Sequence, residues 1–210
     1  MSYKEKRKEN LIKECGFPIR NLENISMIPE RIDEEAFKKL AYIKNNIVRF
    51  VNEGYNLLIF SDNPGNGKTT WACKIGLAYI DYIAQYATEN PILYLNLPLY
   101  FDERKANIQD PSLSTDVQKK EKIIRDAKLI IFDDIGVRDL SEFEKQLLYI
   151  WVERRTSEKK SCIFTSNIHP RNFESIFGPR IADRIIGYST SIEVKGQSRR
   201  MNNNFFEATK

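Results

Sequence analysis

Asn56-Leu57-Leu58-Ile59-Phe60-Ser61-Asp62-Asn63-Pro64-Gly65-Asn66-Gly67-Lys68-Thr69-Thr70 decides the fold class. Its first five residues are an apolar run of strand length. A turn with two glycines follows over Ser61–Gly67. From Lys68 to about Ala87, Trp71, Ala72, Ile75, Ala78 and Tyr79 recur at helical spacing. A strand feeding a glycine-containing turn that opens a helix is the setting of a phosphate loop, G-x-x-x-x-G-K-[ST]. Gly67, Lys68 and Thr69 match the pattern, and Asp62 stands where the opening glycine belongs. The chemistry needs small residues that let backbone N–H groups turn inward around phosphate oxygens, and Gly65 and Gly67 supply that freedom. Lys68 is placed to reach the β- and γ-phosphates and Thr69 to ligate Mg²⁺, while the helix aims the positive end of its dipole at the anion. Asp62 is expected at the loop's base, where aspartate tolerates left-handed torsion better than most residues. The competing reading is a Gly/Asn-rich turn followed by an ordinary lysine.

Outward from that unit, short apolar runs alternate with helical patterns. Ile92–Leu97, Leu129–Asp133, Cys162–Thr165 and Tyr188–Val194 read as further strands. Val117–Ala127 reads as a mixed-charge helix. Ser141 and Glu144 form a capping box that opens a helix to about Arg155, and Pro179 starts another that runs to Ile186. Alternating strands and helices predict an α/β fold with a parallel sheet covered on both faces. In such sheets ligands bind beyond the C-terminal strand ends, and every polar motif falls there.

Leu129-Ile130-Ile131-Phe132-Asp133-Asp134 ends a buried strand in two carboxylates. They repel unless a cation sits nearby, and a magnesium nucleotide supplies one. Asp133 would hold Mg²⁺, directly or through water, and Asp134 would polarise an attacking water. A helix cap plus a turn residue is the plainer alternative. Asn167 follows the strand that ends in Thr165; an amide there both donates and accepts, suiting it to a γ-phosphate or a lytic water, though Asn is also a common turn residue. Arg180 and Arg184 lie four apart on one helix face, with Asp183 between them. They suit charge stabilisation on a transferring phosphoryl group, or form a surface ion-pair cluster.

Composition excludes several classes. The 210 residues are 41% hydrophobic and 30% charged, enough to bury a core in one domain. No apolar run approaches the ~20 residues of a membrane helix, and the charged N-terminus has no signal-peptide apolar stretch. Three cysteines without a CxxC pair and a single histidine argue against zinc and disulfide scaffolds, and for the cytoplasm. Net charge is +4, concentrated as +3 in residues 1–20 and +3 in residues 195–210. Such ends suit a polyanion partner or simple solvation. The chain divides into an N-terminal extension (1–35), a core (36–200) and a tail (201–210).

Together the motifs resemble the AAA+ ATPases of the DnaC/DnaI helicase-loader family, with the IstB transposition ATPases as close relatives. The resemblance runs from about Cys15 to Arg200. It rests on Cys15-Gly16-Phe17-Pro18-Ile19-Arg20, N-P-G-N-G-K-T-T, I-I-F-D-D-I-G, F-T-S-N, F-G-P-R-I-A-D-R-I and G-Q-S-R-R. It implies a three-layer P-loop NTPase with strand order 5-1-4-3-2 and no C-terminal lid. It implies ATP held by Asn63, Pro64, Gly65, Asn66, Gly67, Lys68, Thr69 and Thr70, with Mg²⁺ on Thr69 and Asp133. Asp134 and Asn167 become catalytic, Arg184 an arginine finger with Arg180 beside it, and Arg200 a sensor-2-like arginine. Ile19 and Arg20 would line the adenine pocket. The family's DNA-contacting helical insert would fall within Tyr100–Lys122, where Arg104, Lys105, Lys119, Lys120 and Lys122 accompany Tyr100 and Phe101; a solvated helix is the alternative. The implied activity is slow, partner-stimulated ATP hydrolysis that loads a DnaB-type replicative helicase onto single-stranded DNA, with self-association through the ATP site and no membrane. The short N-terminal segment suits a compact phage or mobile-element loader. Two rivals remain: a transposition helper, and a nucleotide-gated binding module with negligible hydrolysis.

Overall fold

Strands β1 (Asn56–Phe60), β2 (Ile92–Asn96), β3 (Leu129–Ile135), β4 (Ser161–Ser166) and β5 (Ser189–Glu193) lie parallel in one sheet, ordered β2-β3-β4-β1-β5. This is the expected order, read from the opposite edge. The computed structural model describes residues 3–22, 27–86, 91–109 and 114–199. Around the sheet run α1 (Tyr3–Glu14), α2 (Glu34–Asn45), α3 (Ile47–Asn52), α4 (Lys68–Ile83), α5 (Leu97–Gln109), α6 (Ser114–Asp126), α7 (Glu142–Ser157), α8 (Phe173–Phe177) and α9 (Pro179–Gly187).

The period-2 alternation of strands sorts the core into two layers. Leu57, Ile59, Ile131 and Ile163 face α1–α4, where they meet Leu40, Trp71 and Ile75. Leu58, Ile130, Phe132 and Phe164 face the other side, with Phe101, Leu148 and Ile185. Each fully buried side chain of this kind contributes about 1.5–3 kcal/mol relative to exposure. On the second face Phe101, Trp151, Phe132 and Phe164 form a continuous stack, with ring centroids 5.5–6.3 Å apart and planes within 12°.

The segment ahead of residue 36 is packed into this framework. Leu11, Cys15 and Phe17 are buried in the first core layer, and the Tyr94 amide of β2 donates to the Cys15 carbonyl at 2.8 Å. The capping box forms as expected: Glu144 N donates to Ser141 Oγ, and Ser141 N to Glu144 Oε2 at 2.8 Å. At the other end of α7 the buried guanidinium of Arg155 donates to the carbonyls of Ile124, Ala127, Lys128 and Ser161. It thereby ties α6 to the starts of β3 and β4.

One strand differs from expectation in a way that matters. β3 does not stop at Asp133. Phe132 pairs with Phe164 and Ile135 with Ser166, so β3 spends one residue more than β4 over that interval. The extra residue makes a bulge, and Asp134 takes φ +58° within it. Left-handed torsion in a non-glycine residue at a bulge is a feature concentrated at functional sites.

Candidate active site

The loop after β1 is held by its own side chains. Asn66, fully buried, donates through Nδ2 to Ser61 Oγ (2.6 Å) and the Val194 carbonyl (2.8 Å). Its Oδ1 accepts from Lys68 Nζ at 3.1 Å, and Lys68 Nζ also donates to the Asn63 carbonyl at 2.9 Å. The ammonium therefore sits inside the loop it belongs to. Gly65 and Gly67 have φ of +78° and +103°, which favours glycine strongly at both. Asp62 does not need its expected left-handed tolerance: its φ is not positive, and its side chain is exposed. An ordinary torsion is the reason a non-glycine residue fits there. Pro64 is exposed, and Thr70 Oγ1 accepts from Asn21 Nδ2 at 3.3 Å.

Helix α4 and the acidic strand end meet at Asp133, which is only 2% exposed. Its Oδ1 accepts from Thr69 Oγ1 (2.8 Å) and Thr165 Oγ1 (2.6 Å), and its Oδ2 from Tyr94 Oη (2.5 Å). Burial first, and then the Asp133 carboxylate, raises the Tyr94 phenol far above its usual range, so it stays a donor. Thr165 also accepts from the Asp134 amide at 3.0 Å. The bulge turns Asp134 to different partners: its Oδ2 accepts from Asn96 Nδ2 at 3.4 Å. The divergence of the two carboxylates is thus built by backbone torsion. Asn167 is the residue after β4, the strand lying between β1 and β3.

The structure places Lys68, Thr69, Asp133, Asp134 and Asn167 at the C-terminal end of the sheet. It does not bring the α9 arginines to them. Arg184 is engaged by Glu153, Asp183 and Tyr188, none of which belongs to the loop or to β3. Arg180 is exposed at the rim of a cavity of about 340 Å³ lined also by Gln146, Tyr149 and Pro179. Arg200 lies outside the described residues. Ile19 is 83% exposed and Arg20 is exposed, beside the buried Asn21 that reaches Thr70.

Tyr100 and Phe101 require a correction. Both are 1% exposed, packed on Trp151 in the second core layer, so neither can stack on a base. Proline at the second position of α5 lets the helix start directly from β2, which turns this aromatic pair under the helix rather than out. The cations nearby are matched by carboxylates: Arg104 with Glu121, Lys120 with Glu103, and Lys105 with Glu144.

Sequence reasoning missed Tyr94, Asn96 and Thr165. Asn96 and Thr165 are polar residues at the ends of apolar strands, and the strand-end rule applied to every strand would have found them. Tyr94 needed the register that sets β2 beside β3. A second missed feature is a pair of straps over the loop. Asp33, fully buried, accepts from the amides of Lys195 (2.7 Å) and Gly196 (3.0 Å), and Glu30 accepts from the Gln197 amide at 3.0 Å. A side chain at Gly196 would come within 2.4 Å of Asp33 Oδ2. Beyond it the Arg199 amide donates to the Gly65 carbonyl at 2.8 Å, and its guanidinium donates to the Ile28 carbonyl and lies 5.2 Å over the Phe37 ring. Met27 closes the other side: a Cβ on Gly67 would meet Met27 Cε at 2.2 Å.

Among the described residues, no three His, Cys, Asp or Glu side chains stand together as a metal cage. One hydroxyl and one carboxylate beside a buried lysine fit instead an ion that takes most of its ligands from phosphate and water, the habit of Mg²⁺. No helix among the described residues is long and apolar enough to cross a membrane.

Residues 3–206 match the family model described as IstB-like ATP binding protein. The replicative helicase loader DnaC of Buchnera aphidicola subsp. Acyrthosiphon pisum is 27% identical over 165 residues, 77% of this chain and 63% of that protein. The ATP-binding protein of insertion sequence IS21 from Pseudomonas aeruginosa is 26% identical over 200 residues, 92% of this chain and 69% of that protein. A crystal structure of the DnaC helicase loader superposes with a TM-score of 0.67 at 18% identity, covering 85% of this chain and 100% of that one, which bears on the fold alone. The chain thus spans less than two thirds of the helicase loader it matches.

Proposed function

The chain belongs to the family of IstB-like ATP-binding proteins, and from that premise we propose that it is an AAA+ ATPase that loads a replicative, DnaB-type helicase onto single-stranded DNA in the cytoplasm. The observation that carries the reading is Lys68 buried in its own loop, with the next residue, Thr69, bonded to Asp133 near the C-terminal end of β3. The helicase-loader relatives supply the partner.

In this reading Asn63–Thr70 wrap the triphosphate with their amides, and Lys68 exchanges its loop acceptors for phosphate oxygens. Thr69 and Asp133 hold Mg²⁺. When bound, that ion neutralises charge on the β- and γ-phosphate oxygens. Asp134, aimed away from Asp133 by its left-handed backbone, takes the proton of the attacking water. Asn167 orients that water or the γ-phosphate. Arg184 of a neighbouring copy, with Arg180 beside it, stabilises the charge that develops on the transferred group, and Arg200 does so within its own chain. ATP binding favours the assembly that grips helicase and DNA, and hydrolysis releases them.

Co-purification with the helicase of the same replication system, with ATP and without, tests the proposal. Retention that needs ATP and vanishes in Lys68→Ala supports it. Absence of heat from ATP or ADP at millimolar levels with magnesium in calorimetry refutes it. A second reading, a transposition helper, is favoured by the coverage of 92% of this chain by the insertion-sequence relative; retention by a transposase in place of a helicase selects it. A nucleotide-gated module is selected if Lys68→Ala loses the partner although the wild-type chain shows no turnover.

A further inference from the structure

Arg184 is placed in the last turn of α9, on the surface, with its side chain 30% exposed. Its guanidinium is paired with Glu153 along one edge. Nε donates to Glu153 Oε2, and Nη2 lies 3.5 Å from Glu153 Oε1. Glu153 projects from the C-terminal half of α7, a helix anchored in the core by Leu148 and Val152. On the other side Nη1 donates to Tyr188 Oη at 3.3 Å, and the guanidinium carbon stands 5.4 Å over the Tyr188 ring. Asp183 Oδ2 is 3.6 Å from Nη1 and itself well exposed.

A guanidinium has two edges able to bind a carboxylate or phosphate in bidentate fashion: the side-on edge of Nε and Nη2, and the end-on edge of Nη1 and Nη2. Glu153 occupies the first; the second meets only the Tyr188 hydroxyl and the exposed Asp183 carboxylate among the described residues, two contacts that a phosphate would replace. An arginine side chain is rich in rotamers, and a free surface residue loses that freedom when it engages a phosphate. One already held in place loses less. The carboxylate also has an opposing effect, because its negative charge lowers the local attraction for phosphate. The two effects predict opposite signs when Glu153 is removed, so experiment separates them.

We propose that Glu153 is a positioning residue: it holds the side-on edge of Arg184 so that the end-on edge is presented, preformed, to the triphosphate of a neighbouring copy. The inference rests on the reading that Arg184 acts across a subunit boundary. It extends that reading by naming the residue that orients the arginine and the edge the phosphate meets.

The test uses full-length chains in mixtures. A Lys68→Ala chain offers Arg184 but binds no ATP, and an Arg184→Ala chain binds ATP but offers no arginine. Mixed, they regain helicase-stimulated hydrolysis. Adding Glu153→Ala to the Lys68→Ala chain lowers kcat of the mixture about 10- to 100-fold with KM unchanged. Adding it to the Arg184→Ala chain leaves the mixture as it was. Glu153→Gln, which keeps the shape and one acceptor, falls between and guards against misfolding. A second readout is assembly itself. The chain concentration at which a non-hydrolysable ATP analogue drives association, followed by sedimentation, rises about tenfold in Glu153→Ala, while analogue affinity for the isolated chain is unchanged. Equal losses on both sides of the mixture, no loss, or a gain overturns the positioning role and leaves the cross-subunit arginine standing. An Arg184→Ala chain as active alone as the wild type, or a mixture that regains nothing, removes the cross-subunit arginine and Glu153's role with it.

Discussion

Thr165→Val tests whether the site is built as a hydroxyl network around one carboxylate. Thr165 is fully buried on β4. Its hydroxyl donates to Asp133 Oδ1 at 2.6 Å and accepts from the Asp134 amide at 3.0 Å. Valine keeps the volume and removes both bonds. Loss of a hydrogen bond to a charged group costs about 1.5–3 kcal/mol, and a buried N–H left unpaired costs about 1–3 kcal/mol. Thr69 and Tyr94 still hold Asp133, so the expected loss is roughly 2–4 kcal/mol. For a chain of this length that lowers Tm by roughly 5–15 °C, read by thermal melting of the nucleotide-free protein. Thr165→Ser keeps the hydroxyl and loses only a methyl group, about 1 kcal/mol. The network also sets the bulge that aims Asp134, so turnover falls in the valine variant by more than its stability loss explains. The stabilisation by magnesium ATP, about 2.7 kcal/mol at a ligand concentration of 100 Kd in the wild type, shrinks as well. If valine and serine variants melt together and gain equally from magnesium ATP, the network is incidental and the reasoning fails.

Gly67→Ala forces a methyl group to 2.2 Å from Met27 Cε at φ +103°; it weakens ATP binding, and pairing it with Met27→Ala recovers only the steric part, as calorimetry on both variants will show. Glu144 is held down to about 2 by its bonds to Arg138, with Ser141 adding to them. Its contribution is fully present above the unfolded value of 4.5 and is lost as pH falls toward 2. Solvent screening reduces the linkage to about 2 kcal/mol, and Arg138→Gln flattens this acid limb in urea unfolding measured from pH 6 to 2. Arg155→Met leaves the Ile124, Ala127, Lys128 and Ser161 carbonyls without their donor and destabilises by roughly 3–5 kcal/mol; a variant within 1 kcal/mol of wild type in urea refutes this.

How far the chain could be read from its residues follows from which interactions are local. β1 came out with its observed ends because the apolar run Asn56–Phe60 and the glycine turn are adjacent in sequence. The Ser141–Glu144 capping box did so because its partners are three residues apart. Helices α1 to α3 were not read: their apolar faces are interrupted by charges, and their burial depends on α4, far away in sequence. The bulge at Asp134 was invisible for the same reason, since it exists only against the register of β4. Tyr94 and Thr165 lie on strands whose direction of side chains toward Asp133 is a tertiary fact. Tyr100 and Phe101 misled because an aromatic pair beside a cluster of lysines and arginines looks the same in sequence whether it faces outward or inward. Arg184 was legible as a candidate from its spacing to Arg180, but its partner Glu153 lies 31 residues away on another helix.

The straps over the phosphate loop have a mechanical consequence. Asp33, ahead of the sheet, and Lys195 and Gly196, after it, tie two distant passages of the chain together before the outgoing one bonds to Gly65. Tension applied beyond Arg199, on the C-terminal side, is therefore delivered to the loop at Gly65 before it reaches the sheet. A tether fixed on that side works like a hand on a drawstring.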